Sequence, residues 1–129
     1  MAETRTRRTG EKAFPQRGEI YLTALDPAPG HEIKKTQPAL VIQNNVGNRY
    51  SPLTIVAAIT SKVSQVPYPV EVVIEPTTIN GLSVRSAIRL DQLRTVDRQW
   101  LIKRLGQIDR LDMTKVDEAV RISLGLIEF

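Results

Sequence analysis

Residues 53–61, LTIVAAITS, constrain the fold more than any other stretch. Apolar and β-branched residues follow one another there without polar alternation, so both faces of such a strand must be covered, which predicts a central strand. Around it, GEIYLTAL (18–25), PALVIQN (38–44), PVEVVI (69–74) and SAIRLDQLRTV (86–96) are rich in Val, Ile, Leu and Thr, and Pro, Gly or Asn clusters separate them. Helical patterns of the length a βαβ crossover needs do not intervene, which argues against a parallel βαβ sheet and for an antiparallel barrel or sandwich. Five short strands so closely spaced favour a small barrel. Within SAIRLDQLRTV, Ile88 and Leu90 share a face by period two, yet Leu93 is out of phase. A bulge near Asp91 and Gln92 restores the phase.

Helices are expected at the C-terminal end. Asp97 is a candidate N-cap for DRQWLIKRL with Gly106 just past its end, and Asp112 for MTKVDEAVRISLGL. In the latter, Met113, Val116, Val120, Leu124 and Ile127 recur at three- and four-residue steps and form a face that docks on the barrel or on a partner. Two polar connections, 26–37 and 44–52, are longer than a hairpin requires and are the places to look for chemistry.

The chain has 129 residues, the size of one domain, and no cysteine, which excludes disulfides, thiolate metal sites and a cysteine nucleophile. Residues 1–16 carry four cations (Arg5, Arg7, Arg8, Lys12) against two anions and hold half of the formal charge of +4. They read as a flexible basic tail, either a solubilising extension or a nucleic-acid arm, ahead of a single domain at 17–129. Neither a signal peptide nor an 18-residue apolar run is present, so a cytoplasmic protein without membrane contact is expected.

One histidine and carboxylates without ligand spacing do not favour a metal, and no cofactor is called for. A Gly-x-Ser-x-Gly elbow and a Gly-rich phosphate cradle are both missing. Glu, His, Lys, Arg and Thr remain, a set suited to RNA cleavage by the RNA's own 2′-hydroxyl. That reaction needs a base, a proton donor for the leaving oxygen, and charge or donors at the phosphorane.

The blocks RGEIYLTALDPAPGHE, QPALVIQNNVGNRYSP, TIVAAITSK, LDQLRTVDRQ and VDEAVRISLGLI, in this order, resemble the MazF/PemK toxins of toxin–antitoxin systems over residues 17–129. The resemblance implies a mainly β fold, an SH3-like barrel with C-terminal helices. It also implies a homodimer and a metal-independent endoribonuclease (mRNA interferase) that cuts single-stranded RNA at short sequences, leaving 2′,3′-cyclic phosphate and 5′-hydroxyl ends. A cognate antitoxin inhibits such a toxin.

Carried over residue by residue, the family's loop motif matches Gly30, His31, Glu32 and Pro38, its catalytic Thr matches Thr60, and its Arg is replaced by Gln37. The implied roles give Thr60 to the scissile phosphate, Glu32 or His31 to the 2′-hydroxyl proton, and Lys34, Lys35 or Gln37 to the phosphorane. Arg17, Asn44, Asn48, Arg49, Asp91 and Gln92 fall in blocks that line the RNA groove in relatives. A neutral amide offers the phosphorane a hydrogen bond but no charge. A second reading, a catalytically weakened module that binds antitoxin or RNA, therefore stands beside the nuclease. A gyrase-directed toxin is a third, since that activity occurs on a related fold, but the GHE loop and the AITSK block point to the RNA-cleaving branch.

Overall fold

The computed structural model describes residues 13–25, 36–66 and 68–128. Six antiparallel strands form one sheet: β1 (Glu19–Ala24), β2 (Thr36–Val41), β3 (Leu53–Thr60), β4 (Glu71–Ile74), β5 (Ser86–Asp97) and β6 (Leu101–Gln107), in the order β4-β5-β3-β2-β1-β6. Two helices accompany it, α1 (Asn45–Tyr50) and α2 (Arg110–Ser123). Among the described residues no helix is long and apolar enough to cross a membrane.

β3 lies between β2 and β5 and is buried on both faces, as its unbroken apolar run requires. Ala57 and Ile59 point into the larger core with Ile20, Leu40, Ile88 and Leu90, which α2 covers through Val116 and Ala119. Val56 and Ala58 point the other way, into a smaller cluster with Leu25, Ala39, Val41 and Val96.

The bulge falls where the phase of Leu93 placed it. Ala58 pairs with Arg89 and Ala57 with Leu93, so residues 90–92 are extra. An odd insertion reverses the facing of all that follows: Leu90 and Leu93 both reach the larger core, and Arg89 and Arg94 both share the Ala58 side.

The helix expected over 97–105 is absent. Asp97 does cap, its side chain accepting from Gln99 N–H, but it opens a single 3₁₀ turn at Arg98–Trp100, and the chain continues as β6. Nine residues do not sustain an isolated helix, whereas the free edge of β1 offers a full ladder and an Arg104–Glu19 ion pair at 2.7 Å. Gly106 is accordingly no helix cap. A Cβ there would lie 2.1 Å from the Ile79 carbonyl oxygen, so only glycine lets β6 approach residues 79–81, where Gln107 N–H bonds Ile79.

α2 starts earlier than expected, because Asp109 rather than Asp112 is the N-cap and accepts the Asp112 N–H at 2.7 Å. Its apolar stripe docks through Met113, Val116 and Val120, while Leu124 and Ile127 stay exposed. Residues 44–52, expected as an irregular connection, fold largely into α1.

Candidate functional site

Of the expected loop residues, His31, Glu32, Lys34 and Lys35 lie outside the described residues. Gln37 and Thr60 lie within them and are brought together. The β2–β3 register pairs Ala39 with Ala58, and its continuation sets Gln37 opposite Thr60. Both side chains are half-buried on the face that carries Ala39 and Ala58.

The local reason is Pro38. Ile42 N–H donates to the Ile55 carbonyl, so the directly bonded pairs of this ladder place 42, 40 and 38 opposite 55, 57 and 59. Proline has no N–H, and the Ile59 carbonyl therefore lacks its ladder donor. Gln37 fills the gap: its Nε2 donates to the Ile59 oxygen at 3.1 Å. The next residue is Thr60, whose Oγ1 accepts from Lys62 N–H at 3.0 Å, leaving its own proton to give.

On the other side of Thr60 stands a cation that the sequence reading passed over. Thr60 pairs with Ala87 and Ala58 with Arg89, so Arg89 is the diagonal same-face neighbour of Thr60, typically about 7–8 Å away. Asp91, on the bulge, grips it with both oxygens: Nε donates to Oδ1 at 3.1 Å and Nη2 to Oδ2 at 2.8 Å. This bond holds the Asp91 carboxyl below the usual carboxylate range and raises the Arg89 guanidinium. The guanidinium also lies over the Tyr68 ring, 5.5 Å from its centroid. Nη1 takes no part in the fork. The signal was in the sequence: a lone Arg within apolar SAIRL, opposite in phase to Ile88 and Leu90. Gln92, also on the bulge, is exposed.

The remaining candidates gather at the opposite end of β3, around α1. Asn44 is its N-cap, accepting from Gly47 N–H at 2.8 Å. Asn48, expected at an RNA surface, is instead wholly buried and bonded throughout. Its Nδ2 donates to the Gln43 carbonyl and Asn45 Oδ1, and its Oδ1 accepts from Thr54 Oγ1 and Gln43 Nε2. Arg17 is likewise engaged inward: Nε donates to the Ile42 carbonyl at 2.8 Å and Nη2 to Asp117 of α2 at 2.6 Å. Arg49 is exposed, over the Tyr50 ring.

The sequence and the fold have counterparts among known proteins. Residues 16–124 match the family described as PemK-like, MazF-like toxin of type II toxin–antitoxin system. The chain belongs to that family. It is 44% identical over 114 residues to the endoribonuclease EndoA of Bacillus subtilis (strain 168), spanning 88% of this chain and 97% of EndoA. The fold is similar to that of solved structures, of which two serve as examples. One is a mycobacterial endoribonuclease in complex with its cognate antitoxin (TM-score 0.70, 23% identity, 89% of this chain and 99% of that one). The other is MazF from Deinococcus radiodurans (TM-score 0.69, 24% identity, 88% and 99%). In this MazF-like chain, then, the Thr60 corner combines a hydroxyl, an amide held by the backbone and a clamped guanidinium.

Proposed function

We propose that this chain is a sequence-specific, metal-independent endoribonuclease toxin of single-stranded RNA. It acts in the cytoplasm as a homodimer and is inhibited by a cognate antitoxin; residues 17–129 form the toxin domain and 1–16 a basic tail. The reading rests on its likeness to EndoA over nearly that protein's whole length, together with the placement of Thr60 between Gln37 and Arg89.

The 2′-hydroxyl attacks the adjacent phosphorus and the 5′-oxygen leaves, so a 2′,3′-cyclic phosphate and a 5′-hydroxyl end form and no activated water is needed. Thr60 donates to a phosphate oxygen. His31 or Glu32 takes the 2′-hydroxyl proton, and the same group, or an ammonium of Lys34 or Lys35, returns a proton to the leaving 5′-oxygen. Positive charge comes from Lys34 or Lys35 and, on the other flank of Thr60, from Arg89. Arg49, Asp91 and Gln92 meet the RNA strand, while Arg17, Asn44 and Asn48 hold the α1 segment in place.

Mapping 5′-hydroxyl ends after the purified protein meets a long mixed-sequence RNA in EDTA tests this. Cuts at one short recurring sequence are expected. The second reading, a weakened binding module, is favoured by the Gln37 amide, which carries no charge and is bonded to Ile59. Intact RNA with the natural protein, and cut RNA with Gln37→Arg, would decide for that module.

A further inference from the structure

We infer that Gln37 is a positioning residue: its side-chain N–H takes the place of the backbone donor that Pro38 lacks and so fixes the Ile59–Thr60 peptide and, with it, the Thr60 hydroxyl. The inference rests on the endoribonuclease reading for its effect on rate, but the bond itself does not.

Three observations converge on it. The ladder phase set by Ile42 and Ile55 assigns the Ile59 carbonyl to residue 38, which is proline. The Gln37 Nε2 to Ile59 oxygen distance, 3.1 Å, is that of an ordinary amide hydrogen bond. The carbonyl belongs to the peptide that carries Thr60 N, so any drift of that peptide moves the Thr60 Cα and its hydroxyl directly. Thr60 ends β3, where among the described residues its Oγ1 is tied into the turn through Lys62 N–H; its backbone pairs with Ala87 of β5 on one side, and on the β2 side the Gln37 bond is what holds the Ile59 carbonyl. An unfilled carbonyl at that point would draw in water and loosen the strand end.

The replacement of a cation by an amide at position 37 thus exchanges charge for a neutral donor of suitable reach. An arginine placed there has N–H groups that can make the same bond. Glutamate or methionine, similar in length, cannot.

Steady-state cleavage of an oligonucleotide containing the mapped cut site separates these cases. Gln37→Met and Gln37→Glu are expected to lose roughly 10- to 100-fold in kcat, with KM and the affinity for a 2′-O-methylated, uncleavable copy within about twofold of the natural protein; Gln37→Arg keeps kcat at or above that of the natural protein. In the unsubstituted protein, the Gln37 side-chain NH₂ signals in NMR should exchange with water more slowly than those of the other glutamines, and the Thr60 amide should lose exchange protection in Gln37→Met. Gln37→Met cutting as fast as the natural protein overturns the inference. So does a rise in KM at constant kcat, which would mark Gln37 as an RNA contact, or free exchange of its NH₂ protons. If no variant and not the natural protein cuts RNA, the nuclease reading fails, and the exchange measurement still decides the bond.

Discussion

Two side-chain amides stand at the two ends of β3, and their loads differ. Gln37, at the Thr60 end, is bonded among the described residues to the Ile59 carbonyl at a half-buried strand terminus. Asn48, at the Leu53 end, is 0% exposed and ties Gln43, Asn45 and Thr54 together while forming part of α1. Removing the first disturbs a position; removing the second leaves several buried groups unsatisfied. On the proposed reading, changes at the Thr60 end register as rate and changes at the α1 end as stability.

The sharpest test of that division is Thr60→Val. It keeps the β-branched shape and removes the hydroxyl, so cleavage should fall by about 10²–10³ while the urea midpoint stays within experimental error. A large loss of stability would show that the two ends are not distinct. Next in size, Asn48→Leu should cost roughly 1–3 kcal/mol in urea unfolding, with the folded fraction still cutting at nearly the natural rate. Arg17→Ala, which cuts the tie from Ile42 to Asp117, belongs with it at about 1 kcal/mol; cleavage lost well beyond the unfolded fraction would return Arg17 to the RNA surface.

The smallest effect concerns pH. Because Arg89 depresses the Asp91 pKa in the folded state, the pair stabilises the protein above the unfolded carboxylate value and loses that contribution as pH falls through the lower folded value. The window lies below about pH 4. Asp91 is largely solvated, so the term is under about 1 kcal/mol. Comparing urea midpoints of the natural protein and Asp91→Asn at neutral pH and near pH 3 measures it, and the gap between them should shrink in acid.

How much of this was legible beforehand differs by element. The double burial of β3 was plain in VAAI, and the bulge in the phase of Leu90 and Leu93, because a period of two is a strict rule that leaves visible violations. The 97–105 segment misled because Asp97 and Gly106 stand where a helix's cap and stop would, and only the unpaired edge of β1 decides for a strand. α1 was hidden by its composition: Asn, Gly and Val are poor helix formers, and the helix stands on its cap and on the Asn48 bonds rather than on propensity. The resemblance pointed to Thr60 and Gln37, but their contact depends on a register between separate strands, which no local pattern encodes. The partnership of Arg89 with Thr60 required that register too.

The three extra residues at 90–92 carry one more consequence, for how this chain tolerates changes in length. Arg89 and Leu93 face opposite sides although four steps separate them, which only an odd bulge reconciles with alternation. Deleting Asp91 or Gln92 alone would leave Leu90 and Leu93 two residues apart and in phase, so a regular strand would keep the facing on both sides. Deleting both would make Leu90 and Leu93 adjacent and out of phase, and facing would then depend on a one-residue bulge. A library of short deletions across this segment should therefore show an even–odd alternation in viability, with the single deletion the milder lesion.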